Sequence, residues 1–162
     1  MLFSKPHSNN AILLSIIASM GLRIFPWPGV APLLNPDWIL MSLVYWSLTA
    51  PERIGVGRAW VVGVLTDALT GRMLGQYALA YSIVVYICAK LHMRIRQFPL
   101  SQQAATIFLL LLLSQLLIFW TENLQGHTAL TWAYWLPSWV GAALWPAFFF
   151  AMRRLHGFNQ AY

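Results

Sequence analysis

Six apolar runs alternate with short polar stretches along this chain, and the residues between them mark clear break points. The first run, residues 11–25, ends in Pro26, Trp27, Pro28 and Gly29, where the prolines remove backbone donors and fix φ. The second opens at Asn35, Pro36 and Asp37, a helix-start signal with proline in the first turn and a carboxylate at the positive end of the dipole. It passes through WILMSLVYWSLTA and stops at Pro51. After the polar PERIGVGR, a third run goes from about Gly57 through Trp60 and Asp67 to Gly71, and Arg72 marks a short turn. The fourth contains YALAYSIVVYICA and finishes in the basic KLHMRIRQF, closed by Pro99. The fifth has LLLLLSQLLIFW at its centre, and the sixth runs up to Arg153 and Arg154. The pattern predicts spans at 11–25, 36–50, 57–71, 73–92, 104–121 and 135–152. Such lengths suit a hydrocarbon core of about 30 Å crossed at about 1.5 Å per residue.

Composition turns these runs into membrane spans. With 59% hydrophobic and only 9% charged residues among 162, the chain lacks the charge needed to coat a soluble globule, whose residues are about one quarter charged. The expected fold is an all-α integral membrane protein, a single membrane domain over residues 1–162 with six transmembrane helices. The first run resembles a signal peptide in length, but no small-x-small cleavage site follows it and five more runs do, so it reads as a span. Orientation follows from the basic residues. Lys5, Arg53, Arg58, Lys90, Arg94, Arg96, Arg153 and Arg154 fall on one side, and Arg23 and Arg72 on the other. The positive-inside rule then puts both termini in the cytoplasm. Trp27, Trp38, Trp120, Trp132 and Trp135 fall near the outer boundary as an aromatic belt. The net charge of +6 is accounted for by these cytoplasmic ends, so no nucleic acid is expected as a partner.

Candidate chemistry is sparse. In GVLTDALTGRMLG, Gly63, Asp67, Gly71 and Gly75 recur every four residues, with Ala59 upstream, a spacing that stacks side chains on one face of a continuous helix. Such a row lets a second helix approach closely around one polar contact. Asp67 is the one acid inside a predicted span, about a turn from its outer end; a neighbouring helix terminus, Arg23 and Gln76 are its candidate partners. His7, His92, His127 and His156 are too dispersed for a metal site, and no nucleophile elbow or phosphate loop occurs. Cys88 reads as a small buried hydrophobe, and Ser114 and Gln115 as interhelical hydrogen-bonding groups. Neither a catalytic residue nor a cofactor is expected.

The succession FPWP, NPDWILMSLVYW and GVGRAWVVGVLTDALTGRMLGQYALAYSIVVY resembles the rod shape-determining protein MreD family, most closely its gammaproteobacterial form, from about Leu14 to Arg154. Pro36, Asp37, Gly63, Asp67, Gly71, Leu74 and Gly75 match the family pattern; at Gln115 some relatives carry an acid. The resemblance implies a bacterial inner-membrane protein of the elongasome, a non-catalytic scaffold that supports side-wall peptidoglycan synthesis and rod cell shape. It implies direct binding of MreC, a single-span protein, and direct or indirect contact with MreB, RodA and a class B penicillin-binding transpeptidase, besides membrane lipids. It also implies a fold similar to the S-components of energy-coupling-factor transporters. The alternative is a small-molecule or lipid-binding membrane subunit, with a pocket at the outer face lined by Trp27, Trp38 and Tyr77 and anchored by Asp67. Gly63, Asp67, Gly71, Gly75, Pro36 and Asp37 are the candidates for helix packing or partner binding.

Overall fold

The computed structural model describes residues 9–29, 34–126 and 131–158. Lys5, His7 and His127 lie outside them. Among the described residues, six α-helices run alternately up and down: α1 (Asn9–Ile24), α2 (Trp38–Thr49), α3 (Val56–Thr70), α4 (Gln76–Gln97), α5 (Leu100–Leu124) and α6 (Leu136–Phe158), with a 3-10 turn at Trp132–Trp135 leading into α6. No strand occurs among the described residues. The breaks follow backbone chemistry. The chain leaves helical geometry at Ala50 and Phe98, each directly before a proline whose ring crowds the preceding residue out of the α region. Asp37 caps α2 by accepting from the Leu40 amide at 3.1 Å, so the helix begins at Trp38 and Pro36 stands just ahead of it.

Three stretches, Gln76–Gln97, Leu100–Leu124 and Trp132–Gly157, are long and apolar enough to cross a membrane, whereas α1 and α2 are apolar but shorter. At 1.5 Å per residue, the 12 residues of α2 cover only about 18 Å. Its position explains the shortness. Every residue from Ile39 to Leu48 is buried, and α1, α4 and α6 enclose the helix. A helix apolar all round belongs inside a fold, and α2 meets protein where a lipid-facing span would meet acyl chains. Trp46 is its largest buried side chain, and its indole donates to Ser15 Oγ at 2.8 Å. Ser19 and Ser42 join α1 to α2 at 2.6 Å.

The closest helix pair is α3 with α4. A Cβ built on Gly63 would lie 2.3 Å from the Ala78 Cα, so only glycine lets the two backbones approach this far. The four-residue row does not continue as expected. Helix α3 ends at Thr70, Gly71 caps it at φ 65°, and Gly75 precedes α4 at φ 111°. Both glycines are exposed turn residues, whereas Ala59, Gly63 and Asp67 are buried. Positive φ is accessible to glycine at little cost, and it is what folds the chain back within five residues.

Replacing Gly63 with Ala is expected to destabilise the protein by at least the 1–3 kcal/mol typical of overpacking, roughly, because the obstacle is backbone. Gly57→Ala, in the same helix with nothing within 4 Å, should be neutral or stabilising by up to about 1 kcal/mol. Thermal unfolding of both variants in detergent checks this, and equal melting temperatures would refute the packing role of Gly63.

Candidate functional site

Asp67 is completely buried and has no cation within ion-pairing distance among the described residues. Its carboxylate reaches the start of α4. Oδ2 accepts from the Gly75 amide at 2.8 Å, Oδ1 accepts from the Tyr77 amide at 2.9 Å, and the Ala78 amide lies 3.5 Å from Oδ2. The first amides of a helix have no partner within it and carry the positive end of its dipole, so a carboxylate from the preceding helix satisfies both needs. Of the partners considered for Asp67, the neighbouring helix terminus is the one engaged; Arg23 and Gln76 are not. The Asp67 carbonyl accepts from Gly71 and from Arg72, the latter at 3.1 Å, so one residue holds both sides of the turn.

The placement of α4 puts Tyr77 and Tyr81 on one face toward Arg23 and Asp37. Arg23 pairs with Asp37 at 3.3 Å and donates to the Tyr77 hydroxyl. Tyr81 Oη lies 2.8 Å from each Asp37 oxygen. Asp37 therefore caps α2, neutralises Arg23 and accepts from α4 with one carboxylate. Arg72 pairs with Glu122, tying the α3–α4 turn to the end of α5. Its guanidinium carbon lies 5.7 Å from the Tyr77 ring centre, and that of Arg23 lies 4.7 Å away.

These groups surround a cavity of about 320 Å³ at the end of the bundle carrying Arg23. Ser114 and Gln115 of α5 and Tyr134 and Ser138 near the start of α6 close its far side. Gln115 Nε2 donates to the Tyr134 carbonyl at 2.8 Å, and Ser138 Oγ donates to Gln115 Oε1. The Ser114 hydroxyl, 2% exposed as a residue, has no partner among the described residues. Of the pocket residues expected from the sequence, Tyr77 lines this cavity; Trp38 and Asp67 do not. Trp27 lines a second, more open hollow that shares Arg23, Asn35 and Arg72 with the first.

Among the described residues, no group of three or more His, Cys, Asp or Glu is arranged to hold a metal ion. The other candidates have structural surroundings. Pro36 is buried, its ring 3.4 Å from where a Cβ on Gly141 of α6 would stand, and Leu111 Cδ1 would be only 2.6 Å from the same point. Gly141 was not singled out by sequence reasoning, since an isolated glycine in an apolar run carries no spacing signal. The Arg23–Asp37–Tyr81 cluster and the Arg72–Glu122 pair also escaped it, because their members are 14 to 58 residues apart in the chain.

Asp67→Ala is expected to cost about 1–3 kcal/mol for each α4 amide left unpaired, and Asp67→Asn less because one acceptor oxygen remains. Denaturant unfolding in detergent micelles measures both. Stabilities equal to the unsubstituted chain in both variants would contradict the capping role.

Comparison with known proteins places the sequence in a family. A family model for the rod shape-determining protein MreD matches residues 8–155. The rod shape-determining protein MreD of Haemophilus influenzae is similar to this chain, with 32% identity over 145 residues, 89% of each chain. No solved structure matches. Matched over nearly its whole length, the chain belongs to the rod shape-determining protein MreD family.

Proposed function

We propose that this chain is a non-catalytic scaffold of the bacterial inner membrane that binds MreC and supports side-wall peptidoglycan synthesis, and so rod cell shape, within the elongasome. Contacts with MreB, RodA and the class B transpeptidase then run directly or through MreC. The observation that carries this reading is a groove of about 610 Å³ between α1 and α3. Ile12, Leu13, Ile16 and Ile17 form one wall, and Val61 and Leu65 the other. The two helices touch each other at few points, so the groove stays open along their length. In a bilayer, apolar area alone does not drive association, because lipid tails solvate it equally well; a fitted surface adds dispersion contacts that loose tails do not. A single span is the kind of partner that one such groove accommodates.

Three of the four acids support the non-catalytic part of the reading. Asp67 is engaged by backbone amides, Asp37 by Arg23 and Tyr81, and Glu122 by Arg72. A general acid or base has to be free to exchange a proton with a reacting group, and these carboxylates are held by backbone amides, guanidinium groups and a tyrosine hydroxyl. The cavity at the Arg23 end favours a second reading, in which the chain holds a small molecule or lipid. The two readings are compatible, since groove and cavity share no residue.

Single cysteines at Leu13 and Val61, in a Cys88→Ser background, are expected to crosslink to the MreC span in membranes. Leu109→Cys, on an equally exposed part of α5, should not. Crosslinks from Leu109 alone would move the partner away from the groove. Failure of the unsubstituted chain to copurify with MreC would overturn the scaffold reading itself.

A further inference from the structure

Among the described residues, the lining of the Arg23-end cavity is unevenly stocked: its carboxylate and side-chain amide oxygens are engaged and several of its donors are not. Asp37 accepts from Leu40, Tyr81 and Arg23. Asn35 Oδ1 accepts from the Trp38 indole at 2.6 Å, and Gln115 Oε1 from Ser138. A guanidinium carries five N–H donors. Arg23 directs its contacts to Asp37 and Tyr77, and Arg72 directs Nη1 to Glu122, which leaves N–H groups of both beside the cavity. The amide nitrogen of Asn35 adds two donors, and the buried Ser114 hydroxyl lacks a partner among the described residues. An unpaired hydroxyl at 2% exposure is a standing cost that a ligand oxygen would remove. The cavity therefore calls for a group rich in acceptor oxygens.

We propose that this cavity binds a monoanionic phosphodiester, the group carried by glycerophospholipid headgroups and by their soluble counterparts. The proposal rests on the second reading above, that the cavity holds a small molecule or lipid, and gives that ligand its chemistry. Arginine forks match phosphate oxygens two at a time, and Arg23 and Arg72 reach the cavity from different elements. Between the two phosphate forms, charge balance favours the diester. Asp37 and Glu122 already offset the two guanidiniums, so a dianionic monoester would leave two uncompensated charges and a diester only one. At about 320 Å³ the cavity lies at the small end of the range for ligand sites, about 300–1,000 Å³. It has room for a headgroup, and Leu40, Leu111 and Ile118 give its inner wall an apolar character. Arg72, with its side chain 38% exposed, keeps the mouth polar.

The test is native mass spectrometry of the purified, delipidated full chain, titrated separately with dihexanoyl phosphatidylglycerol, glycerophosphoglycerol and uncharged dihexanoylglycerol. Binding of dihexanoyl phosphatidylglycerol is expected, with loss of affinity by about tenfold or more in Arg72→Gln, the size of one charge-assisted hydrogen bond. Ser114→Ala should weaken binding by a smaller factor, and it provides a milder variant should Arg72→Gln fold poorly. Glycerophosphoglycerol binding alongside the lipid supports the phosphodiester chemistry with a soluble source; lipid binding alone supports it with a membrane source. Binding of dihexanoylglycerol as tight as that of the charged lipid overturns the phosphate assignment, as does binding unaltered in both variants. A phosphorus-free molecule retained from the membrane also overturns that assignment while leaving a ligand-holding cavity intact. Absence of any bound molecule, native or added, overturns both.

Discussion

Everything at the Arg23 end depends on where α4 begins, and Asp67 fixes that point. Its carboxylate takes the Gly75 and Tyr77 amides at 2.8 and 2.9 Å in a fully buried position. A bare carboxylate in such surroundings would be costly, but here the positive end of a helix supplies the compensation. Gly63 completes the joint by letting α3 lie against the Ala78 backbone. With α4 held by its first turn, Tyr77 and Tyr81 follow four residues apart and meet Arg23 and Asp37. The polar cluster is thus a consequence of one capping interaction made across a turn.

The distribution of polar groups suits a protein surrounded by lipid. Charged side chains at membrane depth are expensive, and the Arg23–Asp37 and Arg72–Glu122 pairs lie where the ends of α1, α3 and α5 come near the start of α2 and of α4. Between the ends, hydrogen bonds are made by small hydroxyls that return to their own helix or bridge to the next. Ser15 donates to the Ile12 carbonyl while accepting from Trp46, and Ser19 bridges to Ser42. These contacts bind α1 to α2 without burying a charge. The opposite end is basic, and there Arg53 donates to Asn9 at 2.5 Å, fastening the start of α1 to the loop after α2.

Hydropathy made the six helices legible because Pro51, Pro99 and the paired glycines interrupt the apolar runs unmistakably. It left α2 undistinguished from a lipid-facing span, since an apolar residue reads the same against protein as against acyl chains. The four-residue spacing of Gly63, Asp67, Gly71 and Gly75 predicts one helical face, whereas two of its members turn the chain. Periodicity cannot tell a glycine placed for closeness from one placed for positive φ. Asp37 was legible as a helix start because a cap is local. The partner of Asp67 was harder to read because backbone amides belong to every residue and mark none. The cavity was least legible of all: five helices and the α3–α4 turn contribute to it, and only packing brings them together.

Helix α1 borders both features with functional readings, its aliphatic side chains on the groove and Arg23 on the cavity. Its bonds to α2 through Ser15, Ser19 and Arg23 make those two helices one unit, whereas its contact with α3 is slight. A span that widened the groove would therefore move α1 against α3, and α2, which packs against α4 as well as α1, would couple that movement to α4. Polar contacts at this joint of α1, α2 and α4 include Arg23 with Tyr77 and Asp37 with Tyr81, both on the cavity side. An occupant of the groove and an occupant of the cavity that each favoured one setting of this joint would be coupled, and thermodynamic linkage makes such coupling equal in both directions. The two tyrosines, positioned by Asp67, are where the fold would carry it.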